Sequence, residues 1–190
     1  VFTADEHLSG KSPSQGTELC AIVEYMFSLE ELVSIFGDPS FADLLERVAF
    51  NPLPAAFKYD MWAHQYDQQV NQVICSVAER MWSNGPEANI FGFKAHLCCC
   101  TANMHQGWPK FTSRLWMKTP ERGLVAIAYA PSQVSASVGS EETIITITEE
   151  TEYPFKDRIR FIVHTPKDVV FPLSLRIPKW AKEPIVKLPE

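Results

Sequence analysis

The hydrophobic period of this chain changes partway along its length. Between Leu19 and Phe36 the apolar residues Leu19, Ile22, Val23, Met26, Leu29, Val33 and Phe36 recur every three or four positions. That spacing lines one face of an α-helix. After Gly123 the period falls to two. The segments "LVAIAYAPSQVSASV", "ETIITITEETEYPF", "RIRFIVHT" and "FPLSLRIP" are rich in β-branched residues and alternate apolar with polar. Turn residues punctuate them about every ten positions, the pattern of an antiparallel β-sandwich. The chain is therefore expected to be α + β and multidomain. The change of grammar falls in "TPERG", residues 119–123, which predicts a helical part over 1–120 and a β part over 121–190. With 46% of 190 residues hydrophobic, both parts can build a core.

Within the helical part, Gly37 suits a helix end because it takes the left-handed conformation without strain. Asp38 followed by Pro39 reads as the cap and first turn of a second helix. Its inward face is expected to be Phe41, Leu44, Leu45 and Val48. Pro52 and Pro54 end it, since each removes an amide donor. Two helices joined by about two residues predict a helical hairpin. From Tyr59 to Asn103 the periodicity fades, which predicts long loops with short helical pieces. Loops rich in Trp, Phe, Tyr and His are more consistent with function than with disorder. A further helix is expected through "WPKFTSRLWMKT", residues 108–119.

The net charge is −6 and no basic run occurs, so nucleic acid and anionic membrane surfaces are poor partners. No apolar run approaches the ~20 residues that a membrane-spanning helix needs. The chain opens on "VFTADEHLSG" without Met and stops on "EPIVKLPE", and reads as an internal piece of a longer protein. Oligomeric state is not encoded legibly.

Three of the five cysteines stand together in "KAHLCCCTANMHQGW": Cys98, Cys99 and Cys100. The others are Cys20 and Cys75, and the spread is not that of a disulfide framework. Clustered thiols suit a reducing compartment or a metal-protected site. They leave the address open between cytoplasm and periplasm. Packing, metal binding, catalysis and redox chemistry all remain open on spacing alone. A tetrahedral zinc site takes four ligands from Cys, His, Asp or Glu. Cys99 and Cys100 can supply two if the backbone turns sharply, which favours a loop. "GTELC" offers Glu18 and Cys20, whose side chains would diverge by roughly 200° in mid-helix. At a helix start they can converge. One Glu and three Cys around zinc carry a net charge of about −2.

Taken together, "ADEHL", "PSQGTELCAIVEYMFSLE", "ERVAFNPLPAAF", "HQYDQQVNQV", "CCTANMHQGWPKF" and "FPLSLRIPKWA" resemble glycoside hydrolase family 127 and its close relative, family 146. The resemblance runs over essentially the whole chain. Its specific element is E-x-C followed about eighty residues later by C-C-x-x-N. It implies the C-terminal part of an (α/α)6 barrel followed by a β-sandwich, and β-L-arabinofuranosidase-like activity. It also implies that the piece alone is inactive. By the resemblance, Zn2+ is held by Glu18, Cys20, Cys99 and Cys100. Cys99 is the nucleophile, Glu6 the general acid/base, and Tyr66 a sugar contact. His64 and Gln65 beside it are further candidates for substrate binding. The implied substrate is an L-arabinofuranoside-containing oligosaccharide or a related glycan.

The chemistry is coherent. A retaining glycosidase needs a nucleophile and an acid ~5 Å apart. A free thiol ionises near ~8.5, and metal binding lowers that value, so a thiolate can replace the usual carboxylate. Glu6 would protonate the departing oxygen and then deprotonate water. The competing expectation is a non-catalytic carbohydrate-binding protein with a structural zinc-thiolate site.

Overall fold

The computed structural model describes residues 12–188. It is a mixed α and β structure. The elements run β1 (Gly16–Glu18), α1 (Leu19–Phe36), α2 (Pro39–Phe50), α3 (Pro52–Ala55), β2 (Asp67–Gln69) and α4 (Cys99–Ser113). Then follow β3 (Trp116–Lys118), β4 (Leu124–Ala126), β5 (Ser132–Val138), β6 (Thr143–Thr151), β7 (Ile159–His164) and β8 (Leu173–Leu175). No helix among the described residues is long and apolar enough to cross a membrane.

The chain forms two compact units. The first comprises residues up to Glu31 with Leu44–Thr112, and the second Leu32–Asp43 with Ser113–Glu190. The second is thus discontinuous in sequence, taking the end of α1 and the start of α2 into the sheet-bearing part.

In α1 the stripe Leu19, Ile22, Val23, Met26, Leu29 and Val33 is buried. Phe36, the last member of the expected stripe, is 66% exposed. Gly37 takes φ +65°, and its amide bonds the Val33 carbonyl at 2.8 Å. Asp38 Oδ1 accepts the Ser40 amide at 2.8 Å, which caps α2. The buried face of α2 differs from the expected one. Ala42, Leu45 and Ala49 are buried, while Leu44 is 38% exposed and Phe41 and Val48 are only partly covered. Two of the three buried positions are alanines, and a rule that ranks positions by apolar bulk turns the face by about one residue.

Apart from the short strand β2, residues 59–98 form loops, as their fading periodicity predicts, but contain no helix. Backbone bridges tie them together, with His64 paired to both Phe57 and Gly92. The next helix begins at Cys99, not near Trp108, and ends at Ser113; Trp116–Lys118 is a strand. Gly107 and Pro109 inside α4 suppress its sequence signal, because both are poor helix residues.

In the second unit β5, β6 and β7 form an antiparallel sheet, Ser132 opposite Glu149 and Thr151 opposite Ile159. A second sheet has the order β3-β4-β8. There the antiparallel expectation fails, since β4 and β8 run parallel, with Leu124 opposite Leu173. Alternation alone cannot tell the two pairings apart. The sheets share an apolar cluster of Leu124, Val138, Ile145 and Ile147, bordered by Trp116 and Phe161.

The inward face of β6 continues from Thr143, Ile145 and Ile147 to Glu149. The period of two therefore delivers a carboxylate, 2% exposed, to the interior. Its Oε1 accepts the Ala130 amide at 3.2 Å and its Oε2 the Ser132 hydroxyl at 3.1 Å. Burial nevertheless pushes its pKa up to about 7. The folded chain thus holds this proton more tightly than the unfolded chain, whose value is 4.5. The favourable contribution is complete below pH 4.5 and is lost as pH rises through 7. Glu149→Gln should remove this decline and stabilise the chain at pH 8 by up to about 3 kcal/mol. Denaturant melts at pH 4.5 and 8 measure it; an unchanged pH dependence would contradict the assignment.

Candidate metal centre

β1 pairs antiparallel with β2, Gly16 opposite Gln69 and Glu18 opposite Asp67. The Leu19 amide continues the ladder onto the Tyr66 carbonyl at 3.0 Å. Gly16 is needed there, since a Cβ at that position would stand 2.2 Å from the Trp82 carbonyl oxygen. Glu18 ends the strand and Cys20 is the second residue of α1. The switch from strand to helix removes the divergence that a continuous helix would impose on these two side chains.

Cys99 and Cys100 open α4, where a loop was expected. Adjacent helical residues point about 100° apart, yet both sulfurs approach the same Glu18 Oε1, at 3.7 and 3.8 Å. Cys20 Sγ lies 3.3 Å from Cys100 Sγ. The four ligand atoms of Glu18, Cys20, Cys99 and Cys100 all lie within 4.8 Å of one another. A disulfide needs ~2.05 Å, so Cys20 and Cys100 are in contact as thiols. A tetrahedron with Zn–S bonds of ~2.3 Å has sulfur–sulfur edges of about 3.8 Å. The Cys20–Cys100 separation of 3.3 Å is about half an ångström shorter than that edge, and all four ligand atoms stay within 4.8 Å of one another.

The electrostatics point the same way. Hydrogen bonding from Cys100 pulls the Cys20 thiol down. The hydrogen bond with Cys20, and then burial, push Cys100 far up. Burial, then the hydrogen bond with Cys20, raises Cys99. One sulfur thus ionises at the expense of the other two. A cation would let all three carry charge, and the N-terminus of α4 favours anionic sulfur as well. The donor set and spacing therefore fit a metal ion.

Cys100 is fully buried and Cys99 partly exposed, which makes Cys99 the more reachable of the two sulfurs that open α4. Tyr66 is buried with its Oη 3.8 Å from Cys99 Sγ. Burial, then a hydrogen bond to Glu18, raises its phenol far above the usual range. His64 is 1% and Gln65 2% exposed. Their polar atoms are engaged within the protein. The His64 ring spans the Gln65 carbonyl (Nδ1, 3.0 Å) and the Thr101 hydroxyl (Nε2, 2.9 Å). The Gln65 amide donates to the Asn89 carbonyl at 2.6 Å. Glu6 lies outside the described residues. Two further residues bear on the cluster through their side-chain amides: Asn103 favours the ionised form of Cys20, and Asn84 that of Tyr66. Asn103 is legible as part of C-C-x-x-N, whereas nothing in the sequence singles out Asn84.

A carboxylate and three thiols gathered in this way define a thiolate-rich, metal-competent centre at the junction of a strand and two helix starts. Residues 1–113 match the family described as Beta-L-arabinofuranosidase, GH127 catalytic domain, and residues 123–189 match Beta-L-arabinofuranosidase, GH127 middle domain. The chain belongs to the GH127 family. Among solved structures it is similar to a GH127 beta-L-arabinofuranosidase from Geobacillus stearothermophilus T6, with a TM-score of 0.73 and 21% identity. That match covers 90% of this chain and 26% of the other. A structure described as a glycoside hydrolase matches with a TM-score of 0.70 and 17% identity, over 96% of this chain and 28% of that one. The chain therefore spans about a quarter of the length of these structures. No curated protein matches it.

His64 bridges the loop to the first turn of α4, so its removal strands buried polar groups. His64→Ala should lower stability by about 2 kcal/mol in denaturant titrations; a loss below a few tenths would show that the bridge contributes nothing.

Proposed function

We propose that this chain carries the metal and nucleophile part of a retaining, β-L-arabinofuranosidase-like glycoside hydrolase. The observation that supports it most is the meeting of Glu18 and Cys20 with Cys99 and Cys100 within 4.8 Å, from positions about eighty residues apart. Family membership supports the glycosidase chemistry, and the donor set supports zinc. In this reading residues 1–120 are closing helices and active-site loops of an (α/α)6 barrel, and 121–190 part of a β-sandwich.

Glu18, Cys20, Cys99 and Cys100 would hold the ion. Zinc bound there keeps the sulfurs as thiolates at neutral pH and takes up part of their charge. The Cys99 sulfur attacks the anomeric carbon as the bond to the leaving oxygen breaks, and Glu6 gives that oxygen its proton. Glu6 then takes a proton from water, whose oxygen attacks the same carbon and returns the electron pair to Cys99 sulfur. Configuration is retained because the carbon is inverted twice. Tyr66 stands beside the sulfur, where it can contact the sugar. The substrate is an L-arabinofuranoside-containing oligosaccharide or a related glycan.

A second reading has its own support. Four protein donors close a tetrahedron, as structural zinc sites do. Such a site would belong to a non-catalytic, carbohydrate-binding protein.

Metal analysis should find about one zinc per chain in the intact protein, and Cys100→Ser should lower that content strongly. In the full-length enzyme, Cys99→Ser should abolish hydrolysis of a β-L-arabinofuranoside, and Glu6→Gln should slow it by about 10²–10⁴-fold. Zinc binding without any turnover by the unmodified enzyme would favour the structural reading. Substantial turnover by Cys99→Ser would remove the nucleophile.

A further inference from the structure

We propose that His96 is a positioning residue that holds the Tyr66 phenol against Cys99, an inference that rests on the glycosidase reading only for its kinetic consequence. Tyr66 reaches Cys99 Sγ with its Oη at 3.8 Å. Its ring meets the His96 ring edge to face, with centroids 5.1 Å apart and planes at 86°. Aromatic pairs favour this arrangement, since the positive edge of one ring meets the negative face of the other. His96 stands three positions before Cys99 and outside the four-ligand set.

Two observations mark the ring as held in place. His96 has φ +62°, in the left-handed region. A residue with a side chain adopts it only at a cost in strain. Gly85, at φ +105°, lies close to the imidazole, and a Cβ there would stand 3.2 Å from His96 Cε1. The imidazole thus contacts Tyr66 and also packs near a glycine that has no side chain to displace it.

The consequence concerns hydrogen bonding. A phenol at neutral pH carries a proton that it can donate. In this structure the Cys99 thiol donates to the phenol oxygen. Once that sulfur is ionised the phenol can donate to it instead and stabilise its negative charge, including the charge that returns when the sugar leaves. No proton need move. Without the His96 ring, Tyr66 keeps its burial but loses the contact that fixes its tilt.

The test compares the zinc-loaded, full-length protein with His96→Asn, His96→Gly and His96→Phe. Asn and Gly tolerate the left-handed backbone, so they remove the ring without adding strain. Phe keeps an aromatic edge. Crystal structures should show the Tyr66 hydroxyl withdrawn from Cys99 in the Asn and Gly variants and retained in Phe, with zinc content unchanged in all three. On a chromogenic aryl β-L-arabinofuranoside, Asn and Gly should lower kcat about tenfold with KM within about twofold, and Phe should recover most of the loss. Tyr66 unmoved in the Asn and Gly variants would overturn the proposal. So would a Phe variant as impaired as Asn, or loss of zinc from both ring-less variants. If the unmodified enzyme shows no hydrolysis while Tyr66 still withdraws, the positioning role stands and the glycosidase reading falls.

Discussion

Crowding of negative charge governs this structure. Three sulfurs and a carboxylate whose ligand atoms lie within 4.8 Å cannot all be ionised without a cation among them. The protein alone resolves the conflict by keeping protons on Cys99 and Cys100 while Cys20 gives up its own more readily. A divalent ion held there would resolve it differently, by letting every sulfur be anionic at once. Much of the local architecture serves to create this conflict. A three-residue strand ends at Glu18, a helix starts one residue before Cys20, and another starts at Cys99. Each donor stands where the chain changes conformation, because only there can neighbours in sequence face one point.

Burial then gives the thiols unequal parts. Cys100 is sealed in, while Cys99 keeps partial access and has Tyr66 at its side. His64 and Gln65 sit behind this front, spending their polar atoms on Thr101 and Asn89. Polar residues next to a reactive group in sequence often brace the backbone that presents it. Here the hydrogen bonds of His64 fasten the loop to the turn that carries the cysteines.

The sequence makes the donor set legible because E-x-C and C-C-x-x-N are short, local and chemically specific. It makes α1 legible because a long stripe of large apolar residues leaves one solution. It misleads at α2, where Ala42 and Ala49 do the packing while Leu44 faces solvent. It misleads again at α4, where Gly107 and Pro109 blur a helix whose first residues matter most. The parallel partnership of β4 with β8 escapes it, because alternation reports which side chains turn inward and not which strand lies alongside. Glu149 escapes for the opposite reason. The alternation is obeyed, and obedience carries a carboxylate inward.

The discontinuous second unit bears on how such proteins are assembled over evolutionary time. The family matches change between residues 113 and 123, yet Leu32–Asp43 belongs with the sheets. A recombination event at the apparent seam would hand the sheet-bearing half to a new host without the helix–turn–helix stretch it packs against. The two halves are thus poor modules for shuffling: genes that keep one should keep both.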